Sequence, residues 1–281
     1  MKPEIIPSGA ALGAEVRGVN LAEPLVDDTR EAIIDAYHQH QAIFFRGQTL
    51  TDQQLVNFSA IFGKVIADHR PRDYYPELDT DMPDLVDVVS NVSIDGKPIG
   101  ALGSGEAIWH SDTVPLPNGA LILHALEIPT ASASDTRIAN TQAAYAAMPK
   151  EMRSRLEGRA LIHGRQDYSL VKQDGASEID PSQSPGPWFP LVRTHIATGK
   201  KGLFLGRRGD CYIVDMAIDE SNALLEDIWK HVTQPAFVWS HAWSVGDVLV
   251  WDNRCTVHSR GAISEGRRRL HRTTTAGEWP R

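Results

Sequence analysis

Apolar residues recur at helical spacing in several separate stretches of the chain. The clearest begins at Thr51, which forms a capping box with Gln54 and precedes a stripe of Leu55, Phe58 and Ile61. Because a capping box satisfies backbone donors at a helix start, this pattern predicts both the helix and its first turn. The same periodicity predicts further helices at residues 28–37, 149–158 and 220–232.

Short apolar runs make up much of the remaining pattern. They are rich in β-branched and aromatic residues and include residues 42–45, 120–123, 203–205 and 248–251. Runs of this length, separated by polar residues, are typical of antiparallel strands in a sandwich or a barrel. The pattern therefore predicts a mainly β fold with flanking helices.

Two longer stretches break the periodicity. Residues 67–105 and 172–190 are rich in Pro, Ser, Asp and Gly, which disfavour long helices and strands. We predict that both are mobile loops. Since 281 residues with 42% hydrophobic content can bury one sizeable core, we also predict a single domain over residues 1–281.

Charge and composition narrow the class of protein. The net charge is −8 and the basic residues form no long run beyond Arg267–Arg269, so we expect no nucleic-acid partner. No stretch approaches the roughly 18 uninterrupted apolar residues of a membrane span, and residues 1–8 lack an apolar signal core. The two cysteines, Cys211 and Cys255, offer no disulfide framework. We therefore predict a soluble, cytoplasmic protein with no membrane partner.

Three residues form a candidate metal site. His110 and Asp112 form an H-x-D triplet, and His258 follows much later in the chain. Two imidazoles and one carboxylate can occupy one face of an octahedral Fe(II) and leave three positions for a cosubstrate and O2. The same ligand types serve catalytic zinc, and a metal-binding sensor or storage protein could use them without turnover. Cys255 could be a further ligand, but its setting is typical of a buried thiol on a core strand.

A pair of arginines near the C-terminus predicts an anion site. In the run 267–275, strand alternation places Arg268 and Arg272 on one side and His271 on the other. Burying a guanidinium in an apolar sheet is costly unless an anion meets it. We therefore expect one or two carboxylates at this pair, and we expect His271 and His124 to be ordinary residues outside the site.

Together these residues resemble the Fe(II)- and 2-oxoglutarate-dependent dioxygenases typified by the taurine and 2,4-dichlorophenoxyacetate enzymes. The resemblance runs nearly end to end, and its most specific part is the closing block with residues 251–254, His258, Arg268 and Arg272. Its other motifs are residues 12–21, 44–48, 58–63 and 109–112. The resemblance implies the double-stranded β-helix, or jelly roll, with metal ligands on neighbouring strands, and it implies a homo-oligomer.

The resemblance also implies how the cofactors bind. The H-x-D pair and the distal histidine would hold Fe(II), and 2-oxoglutarate would chelate the iron and react with O2 to give succinate and CO2. The far carboxylate of 2-oxoglutarate would pair with Arg268 and accept a hydrogen bond from Thr136. Ala133 and Ser134 stand where the family usually has two glycines before this threonine, which is a departure from the family pattern.

For the primary substrate, the resemblance implies that Arg272 anchors an anionic group, as in an aryloxyalkanoate or a sulfonate. His69 and Glu106 fall near positions where related enzymes contact substrate, although a solvated loop histidine and a surface acid are the simpler alternatives. Asp112 favours hydroxylation, because related halogenases lack this carboxylate. We therefore predict an oxygenase that hydroxylates a small anionic organic substrate. A zinc hydrolase and a non-catalytic metal-binding jelly roll are the alternatives.

Overall fold

The structure is a computed structural model, which describes residues 2–67, 84–112, 117–129, 135–163, 188–209 and 211–279. The helices in these ranges are α1 (Asp27–His40), α2 (Asp52–Ser59), α3 (Thr141–Ala147), α4 (Lys150–Leu156) and α5 (Ile218–Val232). The strands are β1 (Glu4–Pro7), β2 (Ala14–Arg17), β3 (Ala42–Phe45), β4 (Val65–Ile66), β5 (Asp87–Ser90), β6 (Ser93–Ile94), β7 (Lys97–Pro98), β8 (Ala101–Leu102), β9 (Ala107–His110), β10 (Asn118–Glu127), β11 (Thr136–Asn140), β12 (Ala160–His163), β13 (Trp188–Pro190), β14 (Val192–Thr194), β15 (Lys201–Leu203), β16 (Cys211–Ile213), β17 (Val238–His241), β18 (Val248–Asp252), β19 (Thr256–Arg260) and β20 (Arg269–Ala276). The prediction of a mainly β fold with flanking helices is confirmed.

A nine-stranded sheet forms the centre of the described fold. Its order is β1-β2-β3-β18-β10-β20-β5-β8, and β4 also pairs with β20. Strand β18 is buried along its whole length and pairs antiparallel with both β10 and β3. Its run of valine, leucine and tryptophan suits a strand that is covered on both faces.

A four-stranded antiparallel sheet packs against one face of the nine-stranded sheet. Its order is β17-β11-β19-β9. Ile138 of β11 and Trp239 of β17 share a hydrophobic cluster with Leu121, Leu249 and Leu270 of the large sheet. The space between the two sheets is therefore a common apolar core, and side chains near its end face the same interior.

The other face of each sheet is covered by helices. Ile33 of α1 and Leu55 of α2 pack with Phe45 and Val250 of the large sheet. On the outer side of the small sheet, α3 and α5 join a second cluster with strands β11 and β19. In the described residues, none of the helices has the length and apolar composition that a membrane crossing requires.

Four of these helices confirm the periodicity, and α2 begins with the predicted capping box between Thr51 and Gln54. The fifth helix, α3, was not predicted. It has only seven residues, so it offers little periodicity, and its start is marked by Asn140, whose side chain accepts hydrogen bonds from the backbone of Gln142 and Ala143.

The prediction of a mobile loop over residues 67–105 needs correction in its second half. Strand β5 lies inside the large sheet between β20 and β8, and Val86, Val88 and Val89 are buried. The alternating valines favour a strand, and their burial outweighs the prolines that flank the segment. Residues 68–83 of this stretch lie outside the described residues. Of the other predicted loop, residues 172–190, only 188–190 are described, and they form β13.

Candidate active site

Pairing of β9 with β19 brings the H-x-D triplet to the distal histidine. His110 and His258 are directly opposite each other in this antiparallel pair, and their ring centroids are 4.1 Å apart. His110 Nε2 lies 3.5 Å from Asp112 Oδ1. One ligand atom from each of the three residues lies within 4.8 Å of the other two, so the three side chains can share one metal ion.

Hydrogen bonds fix the orientation of two of these ligands. His110 Nδ1–H donates to the Ile108 carbonyl at 2.6 Å, which leaves Nε2 as the nitrogen that faces Asp112. Asn253 holds the Asp112 backbone from both sides, since its Nδ2 donates to the Asp112 carbonyl at 2.7 Å and its Oδ1 accepts from the Asp112 amide at 3.0 Å. The turn that carries the carboxylate is therefore tied to the end of β18.

The electrostatics of the site favour neutral imidazoles. Burial lowers the pKa of His258 to about 3, and the neighbouring His110 acts in the same direction. Burial also lowers the pKa of His110, although the Asp112 carboxylate opposes that shift. At neutral pH both rings are thus unprotonated and able to donate a lone pair. Two neutral nitrogens and one carboxylate fit Fe(II) with open positions for other ligands.

A second group, His195, Asp252 and Cys255, also has ligand atoms close together, but its charges do not suit a metal. Arg254 donates to both oxygens of Asp252, at 2.8 and 2.7 Å, and His195 Nε2 lies 3.0 Å from the same carboxylate. Although burial favours the neutral acid, these hydrogen bonds hold the pKa of Asp252 below its ordinary value. The guanidinium already occupies the position of a cation. Cys255 is buried here, as predicted for a core thiol.

Arg268 and Thr136 meet at one aromatic ring. Trp243 Nε1–H donates to Thr136 Oγ1 at 3.1 Å, and the Arg268 guanidinium lies 5.8 Å from the centroid of the Trp243 ring. Arg268 is only 2% exposed, and its Nε has no hydrogen-bond partner among the described residues. Burial, followed by the positive charge of Arg260, lowers the pKa of Arg268 to about 9. A buried guanidinium and a hydroxyl near the same indole are suited to a carboxylate ligand.

Arg272, in strand β20, reaches the metal site. Its Nη1 is 3.4 Å from Asp112 Oδ2, and its Nη2 is 3.2 Å from Asp87 Oδ2. Asp87 is the direct partner of Arg272 in the pairing of β5 with β20. The arginine is therefore held between a candidate metal ligand and a second carboxylate that the sequence analysis did not single out.

Glu106 is not brought to this site. It pairs with Arg137 at 3.4 Å, and its side chain is 56% exposed. Arg137 is opposite Ser259, whereas Ile138 is opposite His258, so strand alternation turns Arg137 away from the metal ligands. Both charged residues line a cavity of about 670 Å³ that includes none of the three ligands. The simpler interpretation of Glu106 as a surface acid fits this geometry better than a substrate contact.

The other histidines considered in the sequence lie elsewhere. His271 faces away from Arg272, and its Nδ1 is 2.5 Å from Asp52 of α2. His124 is opposite His271 in the large sheet, and its Nε2 is 3.3 Å from the Gln48 carbonyl. Both are ordinary structural residues, as expected. His69 lies outside the described residues.

Sequence reasoning missed four residues next to the candidate site residues: Asp87, Trp243, Asn253 and Arg260. Asn253 belongs to a motif that was recognised in the sequence. Its contact with Asp112 could not be predicted, because it depends on the end of β18 lying next to the turn that follows β9. Arg260 is two residues beyond His258, so strand alternation alone would have placed it on the ligand side. The alternation of side chains along β19 was therefore the signal that could have identified Arg260.

Comparison with known proteins identifies the relatives of this fold. The chain is 32% identical to an alpha-ketoglutarate-dependent 2,4-dichlorophenoxyacetate dioxygenase of Cupriavidus pinatubonensis, over 96% of both chains. It is also 32% identical to an alpha-ketoglutarate-dependent sulfate ester dioxygenase of Pseudomonas putida, over 99% of this chain and 90% of the relative.

Solved structures agree with these relatives. A taurine dioxygenase from Burkholderia xenovorans matches with a TM-score of 0.78 and 29% identity, over 100% of this chain and 91% of that one. The structure of AAD-2 in complex with Mn(II) and N-oxalylglycine matches with a TM-score of 0.80 and 27% identity, over 100% and 98%. The family model of the taurine catabolism dioxygenase TauD, TfdA family matches residues 4–274. This chain therefore belongs to that family, and it is an oxidoreductase that depends on Fe(II), 2-oxoglutarate and O2.

Proposed function

We propose that this chain hydroxylates a small anionic organic substrate of the aryloxyalkanoate or sulfonate type, with succinate and CO2 as coproducts. The observation that carries the proposal is the convergence of His110, Asp112 and His258, with the Arg272 guanidinium 3.4 Å from the same carboxylate. The candidate metal ligands and the Arg272 guanidinium, a cation suited to an anionic substrate, thus lie next to each other. The relatives named for 2,4-dichlorophenoxyacetate and for sulfate esters act on anions, which supports the same class here.

In this proposal the three ligands hold Fe(II), Arg268 and Thr136 bind the far carboxylate of 2-oxoglutarate, and Arg272 binds the anion of the substrate. When bound, the iron and its cosubstrates supply an oxidant that can remove hydrogen from a substrate C–H bond. The contribution of the protein is to position the substrate relative to the metal. An anion held on Arg272 fixes which C–H bond of the substrate faces the metal.

The proposed roles of Arg268 and Arg272 differ because their surroundings differ. Arg268 is buried near the Trp243 ring, whose indole N–H donates to Thr136. Arg272 lies beside Asp112, with 14% of its side chain exposed. The buried Arg268 would suit a cosubstrate held inside the protein, whereas the partly exposed Arg272 would suit a substrate that arrives from solvent.

The same proposal includes the architecture and the setting. Two sheets that share an apolar core, with ligands on adjacent strands at one end, support a double-stranded β-helix that forms one catalytic domain over residues 1–281. We also propose a cytoplasmic homo-oligomer that binds neither nucleic acid nor membranes. Size-exclusion chromatography with light scattering would measure the number of subunits directly.

The experiment that tests the function is a substrate panel with iron-loaded protein. Aryloxyalkanoates, sulfonates, sulfate esters and phosphonates are each incubated with 2-oxoglutarate and O2, and succinate release is measured above the rate without substrate. We expect stimulation by at least one class of anion and none by the matched neutral amides or alcohols. Equal stimulation by the neutral analogues would contradict an anion-binding role for Arg272.

Two controls separate this function from the alternatives. A zinc hydrolase would convert its substrate without O2, so anaerobic turnover with zinc in place of iron would contradict the proposal. A non-catalytic metal-binding protein would form no succinate with any substrate. Addition of Fe(II) and 2-oxoglutarate without O2 should give a weak visible charge-transfer absorption, which zinc cannot produce.

A further inference from the structure

A second buried arginine faces the region where the far carboxylate of 2-oxoglutarate is expected. Arg260 is 5% exposed and follows His258 by two positions on β19, so its side chain points to the same interior side. Its direct partner in the neighbouring strand β11 is Thr136, the threonine assigned to that carboxylate. The arginine and the threonine are therefore cross-strand neighbours.

The hydrogen bonds of Arg260 leave much of its guanidinium unused. Nη2 donates to the carbonyls of Gly103 and Gly105, at 3.2 and 2.7 Å. Nε and Nη1 are buried and have no hydrogen-bond partner among the described residues. The two carbonyls fix the position of the fork without neutralising its charge.

Arg260 and Arg268 are both buried and carry like charges. Arg260 is close enough for its charge to act on Arg268, and the Nε of Arg268 is also buried without a partner in the described part of the chain. Neither forms an ion pair with a described carboxylate, in contrast to Arg254, Arg193 and Arg272. Two buried guanidinium groups without a counter-ion in the described residues are costly, and an anion that both of them reach would offset that cost.

We propose that Arg260 is a second cosubstrate-binding residue, and that Arg260 and Arg268 together with Thr136 bind the far carboxylate of 2-oxoglutarate. This inference rests on the proposed function. It adds to that function a cation on the strand that also carries the distal metal ligand. The carboxylate would then be recognised by donors from β11, β19 and the residue just before β20.

The test measures binding of the cosubstrate and of one analogue to Mn(II)-loaded protein by calorimetry, without turnover. One is 2-oxoglutarate, and the other is 2-oxopentanoate, which has the same chain length and metal-chelating end but no far carboxylate. Arg260→Gln should weaken 2-oxoglutarate binding on the order of 10- to 100-fold, as for loss of a charge-assisted hydrogen bond. Binding of 2-oxopentanoate should change by less than about twofold, because it lacks the group that Arg260 contacts.

Two further variants serve as controls. Arg137→Gln removes a guanidinium from the opposite face of the same sheet, and it should leave both affinities unchanged. Arg260→Lys keeps the positive charge but loses the fork, so its 2-oxoglutarate affinity should lie between those of the wild-type protein and Arg260→Gln. If Arg260→Gln does not fold, as judged by circular dichroism, the lysine variant decides: an unchanged 2-oxoglutarate affinity would overturn the proposal.

The outcomes separate this inference from the proposed function. If wild-type protein with Mn(II) does not bind 2-oxoglutarate, both proposals fail. If wild-type protein binds but Arg260→Gln binds equally well, only the role of Arg260 is overturned. Equal weakening of 2-oxoglutarate and 2-oxopentanoate binding would also overturn it, because Arg260 would then only support the strand that carries His258.

Discussion

At the scale of single residues, the site depends on which side of a strand each side chain occupies. His110 and His258 face the same interior because they are opposite each other in adjacent strands. Arg268 and Arg272 share a side of β20, whereas His271 between them contacts Asp52 on the outside. Neighbouring residues of one strand therefore have different chemistry available to them.

His258→Ala should abolish succinate formation, because the remaining histidine and carboxylate cannot complete the facial set of ligands. Metal content and succinate are both measured after reconstitution with Fe(II). The matched control is His271→Ala, which removes a histidine from the outer face and should retain iron and turnover. Full turnover by the His258 variant would remove this residue from the set of ligands.

Arg268→Ala and Arg272→Ala should separate the two anion sites. Loss of a buried charge-assisted contact costs about 1.5 to 3 kcal/mol, so each variant should weaken its own ligand by on the order of tenfold or more. We expect the Arg268 variant to raise the KM for 2-oxoglutarate and the Arg272 variant to raise the KM for the primary substrate. A selective loss of 2-oxoglutarate affinity in the Arg272 variant would mean that the two roles are reversed.

At the scale of elements, the helices were predictable where a local signal marks their start. The Thr51 hydroxyl accepts a hydrogen bond from the Gln54 amide at 3.3 Å, and Gln54 Oε1 accepts from the Thr51 amide at 2.8 Å. Helix α3 has too few residues for a clear period. Strand β5 was missed for another reason, since the prolines around it outweighed its alternating valines in the sequence pattern.

Thr51→Ala should lower the free energy of unfolding by about 1 kcal/mol, because it removes one side of the capping box. Urea unfolding followed by circular dichroism measures the change. Gln53→Ala is the control, since Gln53 lies on the exposed side of the same helix turn and should change stability by less than about 0.5 kcal/mol. Equal effects of the two substitutions would show that the cap contributes nothing of its own.

At the scale of the whole molecule, burial of titratable groups couples stability to pH. His163 is 1% exposed beside Phe204, and burial lowers its pKa to about 3 from an ordinary value of 6.5. Below pH 6.5 the unfolded chain binds a proton that the folded chain does not accept. Stability is therefore lost as pH falls from 6.5 towards 3.

Between pH 7.5 and pH 5, His163 should lower the free energy of unfolding by about 2 kcal/mol. The reason is that pH 5 lies 1.5 units below the ordinary pKa of 6.5, and each unit corresponds to about 1.4 kcal/mol. His163→Gln keeps a donor for the Phe204 carbonyl but cannot titrate. Over this pH range, the free energy of unfolding of the variant should therefore fall by about 2 kcal/mol less than that of the wild-type protein. Urea unfolding of metal-free protein at both pH values makes the comparison. A variant with the same pH dependence as wild type would contradict the assignment.

The sequence by itself determined the helices with marked starts, the mainly β composition and the identity of the metal-ligand candidates. The helices and the β composition follow from local period and local capping, and the metal-ligand candidates follow from residue type together with the resemblance to a known family; none of these needs knowledge of distant contacts. Two guanidinium groups on one side of β20 also followed from alternation alone.

Only the tertiary structure decided which of these residues meet. The pairing of β9 with β19 places His110 opposite His258, the pairing of β5 with β20 places Asp87 against Arg272, and the outward turn of Arg137 takes Glu106 away from the site. The physical reason is that strand register is set by packing of both sheets over their shared core, and a shift of one residue would turn every side chain to the other face.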